Sequence, residues 1–70
     1  MLMKQEGRVI ESLKNLQFLI ELEDKRQVRC YTSGKMRLNR IKVLVGDQVI
    51  IELDNLIAIQ NNIGRIIRRV

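Results

Sequence analysis

The sequence predicts an all-β domain: a small closed barrel of five strands, with one short helix between the third and the fourth. Three observations carry this. Apolar and polar residues alternate with a period of two over most of the chain. Turn-forming residues separate the alternating runs. One stretch, Gly34 to Leu44, breaks the period and opens with good helix formers.

The elements follow in order. The first run, EGRVIES, is mixed in pattern, as expected of a strand covered on both sides. Leu13 to Leu16 joins it to the second run, QFLIELE, in which Phe18, Ile20 and Leu22 share one face. Glu21 and Glu23 point the other way. A turn centred on Asp24 and Lys25 leads to QVRCYTS, where Val28, Cys30 and Thr32 alternate with Arg29 and Tyr31. Ser33 suits a helix N-cap, and Lys35, Met36, Arg37 and Leu38 can form one short turn behind it. Gly46 and Asp47 open the fourth run, QVIIELD, with Val49, Ile51 and Leu53 on one parity. Asn55 to Asn62 is the longest late connection. Leu56, Ile57 and Ile59 inside it either cap a barrel end or extend a strand. The last run, IGRIIRRV, has Ile63, Arg65, Ile67 and Arg69 on one parity and Ile66 and Val70 on the other. β-Branched residues dominate these runs, which suits strands over helices.

With 70 residues the expectation is one domain over 1–70. A chain of this size buries only about 60% of the surface exposed when unfolded, so its core must be compact. Closing five strands into a barrel also removes exposed edges. Five short strands with a helix after the third is the plan of an OB-fold. An SH3-like barrel is also five-stranded, but that helix argues against it.

What is missing excludes several functions. There is no His, the usual base and metal ligand near neutral pH. The single Cys, Cys30, rules out a zinc ribbon and a disulfide framework, and is expected as a small core residue in a reducing compartment. Gly34-Lys35 lacks the upstream Gly of a phosphate-binding loop. Glu21 and Glu23 resemble a carboxylate pair but more simply solubilise a strand face. The reading is therefore not an enzyme, with no cofactor and no metal. The opening MLMKQEGRV has neither the apolar segment of a signal peptide nor the acid-poor character of a transit peptide, and no run reaches the roughly 18 apolar residues of a membrane span.

What is present is positive charge. Thirteen Lys and Arg against eight Asp and Glu give a formal net charge of +5, which favours polyanions. Lys35, Arg37, Arg40 and Lys42 form one group, with no acid from Ser33 through Val45. Arg65, Arg68 and Arg69 form a second, with no acid from Asn55 onward. Arg29 and Tyr31 form a third, on the strand that OB-folds commonly present to oligonucleotides. Tyr31 could stack on a base or pack on its neighbours. A merely soluble surface would intersperse signs, so a footprint for phosphate is the better reading. So few aromatics suit a folded RNA more than a single-strand stacking platform.

These residues resemble a known family. SGKMR, then Ile41, Leu44, Gly46-Asp47, Val49 and Glu52-Leu53, then Gly64-Arg65-Ile66, are similar to bacterial and plastid translation initiation factor 1. Gly7, Val9, Glu11, Leu13, Asn15 and Phe18 fit the opening strands, and the resemblance runs from about Lys4 to Arg69. It implies an OB-fold barrel at the A site of the small ribosomal subunit, contacting rRNA and a neighbouring ribosomal protein. It implies blocking of early tRNA binding, cooperation with initiation factors 2 and 3, no chemistry, no membrane, and a monomer. Lys35, Arg37 and Arg65 match basic positions of the family, Lys42 stands where Arg is usual, and the loop around Lys14 and Asn15 matches the segment that reaches the decoding RNA. Four places depart from the pattern: Arg40 for an aromatic, Leu19 for Arg, Lys14 for Pro, and an apolar late loop. The richness in Ile and Asn suits an AT-rich genome, so bacterial cytoplasm and plastid stroma both stay open. Two rivals remain: a general single-stranded RNA-binding or chaperone OB domain, and an interaction domain docking a protein through Leu56 to Ile59.

Overall fold

The computed structural model describes residues 2–54 and 63–70. Its elements are β1 (Leu2–Ser12), β2 (Gln17–Leu22), β3 (Gln27–Thr32), α1 (Gly34–Leu38), β4 (Gln48–Asp54) and β5 (Ile63–Arg69). The strands close into a barrel in the order β1-β2-β3-β5-β4. Only the β3–β5 contact is parallel among these neighbours. The predicted barrel and the helix after the third strand are therefore present. Leu56, Ile57 and Ile59 lie outside the described residues.

The period-two pattern becomes burial. Phe18, Ile20 and Leu22 of β2 face the interior, as do Val28 and Cys30 of β3 and Val49, Ile51 and Leu53 of β4. Val9 and Ile66 complete the layer from β1 and β5. Met36 of α1, 1% exposed, plugs into the same cluster, and Val43 joins it from the segment after the helix. Burying a side chain of this size stabilises by roughly 1.5–3 kcal/mol.

Three expectations are revised. β1 begins at Leu2, not at Glu6, because it pairs with β4 from Leu2↔Asp54 onward as well as with β2. A register shift between Val9 and Glu11 in its pairing with β2 interrupts its alternation. Glu23 lies in the turn after β2, not on the strand face with Glu21, so the two carboxylates do not form a strand-face pair. Arg65 does not group with Arg68 and Arg69. Register places it on the side of the barrel, directly across the β3–β5 ladder from Tyr31, while the other two lie past the end of β3.

Gly46 and Gly64 are among the glycines that geometry requires. Gly46 has φ of 97° in the turn before β4, a conformation that side chains resist. Gly64 faces the interior, where an added Cβ would come within 2.7 Å of the Leu53 side chain and 3.1 Å of the Glu52 carbonyl.

Candidate nucleic-acid interface

One end of the barrel gathers three basic segments. Gln17, at the start of β2, pairs with Tyr31 near the end of β3, so the loop before β2 lies at the end where α1 begins. Thr32 pairs with Ile66, so the last residues of β5 run out at that end too. Lys14 and Asn15, Lys35 to Lys42, and Arg68 with Arg69 are thereby brought to one end.

Each segment is held by local structure. Asn15 and Leu16 both adopt left-handed backbone, with φ of 61° and 58°. Asn accepts this readily; Leu does so at a cost of about 1 kcal/mol. The loop is closed by the Leu13 amide donating to the Gln17 carbonyl at 2.8 Å. Ser33 caps α1: its Oγ accepts from the Met36 amide at 3.2 Å, and its own amide donates to the Ile66 carbonyl at 2.9 Å. The cap thus ties the helix to β5. Arg40 follows with φ of 55°, turning the chain back across the end.

Lys35, Asn39, Ile41, Arg68 and Arg69 line an open hollow of about 380 Å³ between α1 and β5, with Met36 below. Arg69 donates from Nη1 to the Lys42 carbonyl at 2.9 Å and lies 3.9 Å from the Asp47 carboxylate. Asp47 in turn accepts from the Leu44 amide at 2.9 Å. These bonds fasten the irregular segment 41–47 to the end of β5. Leu38, Ile41, Leu44 and Val45 are exposed among the cations there.

The barrel side carries the second surface. Val28 and Cys30 point inward, so Arg29 and Tyr31 point outward, as predicted; Tyr31 is 42% exposed. Cross-strand neighbours share a face. Gln17, Tyr31, Arg65 and Glu52 therefore form one row over β2, β3, β5 and β4. Arg65 donates from Nη2 to Glu52 Oε1, and this hydrogen bond raises the guanidinium pKa further above its ordinary value.

The ten residues singled out from the sequence thus divide between these surfaces. Lys14, Asn15, Lys35, Arg37, Arg40, Lys42 and Arg68 lie at the end; Arg29, Tyr31 and Arg65 lie on the side. The sequence reading missed Glu52 and Asp47 as arginine partners. Alternation placed Glu52 outward, but only the β4–β5 register sets it opposite Arg65. Among the described residues, no group of three or more His, Cys, Asp or Glu could hold a metal ion.

A closed barrel in this strand order, with a helix between β3 and β4 and a basic end, defines an OB-fold domain. Within that class, the chain belongs to the family described as translation initiation factor 1A / IF-1, whose model matches residues 2–70. It is similar to the solution structure of translation initiation factor 1 from the Wolbachia endosymbiont strain TRS of Brugia malayi. That similarity has 36% identity and a TM-score of 0.79, over 99% of this chain and 78% of the other. It also resembles part of the crystal structure of YjeQ from Thermotoga maritima: 25% identity, TM-score 0.76, 97% of this chain and 23% of the other. The circularly permuted GTPase YloQ shares the fold, at 22% identity and TM-score 0.76, over 97% of this chain and 23% of the other.

Proposed function

We propose that this chain acts as a single domain that binds the small ribosomal subunit at the A site, through rRNA and a neighbouring ribosomal protein. It blocks early tRNA binding there and assists initiation factors 2 and 3. It does no chemistry, needs no cofactor, and works as a monomer in a bacterial cytoplasm or a plastid stroma. The observation that carries this reading is the gathering of three basic segments at one barrel end in a member of this family. Lys14, Lys35, Arg37, Arg40, Lys42 and Arg68 supply phosphate contacts and release counterions. Asn15 offers hydrogen bonds from the loop. Arg29, Tyr31 and Arg65 meet RNA along the side.

The test is co-sedimentation with isolated small subunits across a salt series, with unstructured RNA as competitor. The expected result is saturation at one copy per subunit, resisting the competitor and weakening with salt. Arg37→Glu with Arg65→Glu should abolish binding while circular dichroism stays that of the barrel; binding that survives would discard this surface. A second reading, a general single-stranded RNA binder, draws on Tyr31 exposed between Arg29 and Arg65 on the barrel side. Weak, non-saturating binding erased by the competitor would favour it.

A further inference from the structure

We propose that Glu52 is a positioning residue: it fixes the direction of the Arg65 guanidinium beside Tyr31, and so makes this face select a folded RNA over an arbitrary polyanion. The inference rests on the rRNA reading above and adds to it a determinant of selectivity.

An acid on a phosphate-binding face needs a reason, because it repels the ligand. Glu52 sits in the middle of β4, and register places it between Lys4 of β1 and Arg65 of β5. Its side chain is 13% exposed, whereas that of Arg65 is 45% exposed. The carboxylate is therefore tucked against the barrel while the guanidinium stays accessible. Glu52 takes one of the five N–H donors of Arg65, and among the described residues no other side chain takes the remaining four. Tyr31 flanks Arg65 on the other side. Together these neighbours hold a planar donor set at a defined place on the row.

Stability alone explains the pair poorly, since half-exposed ion pairs add little to folding. Attraction for polyanions explains it worse, since the acid cancels a cation. Preorganisation explains both features. A guanidinium held in one direction loses less freedom when it binds a matching phosphate geometry. A flexible polyanion, which can follow a mobile arginine anywhere, gains nothing from that.

The experiment compares wild type, Glu52→Gln, Arg65→Lys and Arg65→Gln for equilibrium binding to isolated small subunits and to polyuridylate, at matched salt. Circular dichroism melts verify folding. Glu52→Gln adds one unit to the +5 net charge. Charge alone predicts tighter binding to both ligands. Positioning predicts roughly two- to threefold tighter polyuridylate binding, from the removed anion. It also predicts about tenfold weaker subunit binding, from the lost orientation. Arg65→Lys, which keeps the charge and loses the planar fork, should weaken subunit binding about as much and leave polyuridylate unchanged. If Glu52→Gln tightens or leaves unchanged the binding to subunits, the proposal is wrong while the interface reading stands. If Arg65→Gln has no effect on subunit binding, Arg65 is not at the interface, and the reading of this face falls with the proposal.

Discussion

Burial pushes the Cys30 thiol up to about 12, from an ordinary value of 9.0, because the thiolate would lose its water inside the barrel. A raised pKa makes the unfolded state release its proton first. Cys30 therefore leaves stability intact below about pH 9 and lowers it as pH climbs toward 12, by about 1.4 kcal/mol per pH unit. Cys30→Ala should be less stable at neutral pH but lose less on alkalinisation. Urea midpoints of both proteins at pH 7, 9 and 10.5 check this; parallel curves would refute the assignment of the alkaline limb to Cys30. Beside it, Gly64 explains the glycine of the GRI motif. An added Cβ meets Leu53, the Glu52 carbonyl and, at 3.2 Å, the Cys30 sulfur. Leu53 can turn aside, but the carbonyl belongs to the β4 backbone. Gly64→Ala should cost about 1–3 kcal/mol by overpacking, read from the urea midpoint. An unshifted midpoint would mean the barrel wall yields there.

At the scale of elements, α1 shows what a short helix needs. Five residues are far below the length that is stable alone, so the Ser33 cap and buried Met36 must hold it. Ser33→Ala should cost about 1 kcal/mol and expose the Met36 amide to faster hydrogen exchange, with strand amides unchanged. Equal exchange in both proteins would show that Met36 packing suffices. This element was legible in the sequence, because a Ser before helix formers is a local signal. So were β2 and β3, whose alternation records one buried face. The start of β1 was not: Met3 to Glu6 bury no side chain fully, so this stretch carries no inward-facing period. The segment 41–47, with buried Val43, was not legible either, since its shape depends on Arg69, which is distant in sequence and reaches both Lys42 and Asp47. The site follows the same division. Outward projection of Arg29 and Tyr31 followed from parity, whereas the Glu52–Arg65 pair needed the register between two strands thirteen positions apart.

At the scale of the molecule, charge is segregated. The end carrying Lys14, Lys35 to Lys42 and Arg68 has Asp47 held among its own bonds. The other end holds the 23–26 turn, where Glu6, Glu23 and Asp24 line shallow hollows with Lys4 and Lys25. There Asp24 pairs with Arg26 at 2.7 Å, and a hydrogen bond from the Arg26 amide lowers its pKa. The barrel measures 29 × 22 × 21 Å, and charges are screened over about 8 Å at physiological salt. The two ends are therefore electrostatically separate, and binding should depend on which end loses a cation. Lys35→Glu and Lys25→Glu each take the net charge from +5 to +3. If the basic end docks, Lys35→Glu should weaken binding to small subunits by about tenfold at low salt and reduce the logarithmic salt slope by about one. Lys25→Glu should stay within about twofold of wild type with an unchanged slope, because its site lies several screening lengths from the docked surface. Titrations of both variants over a salt series decide the matter. Equal losses would mean that net charge alone draws the barrel in and that neither end is preferred.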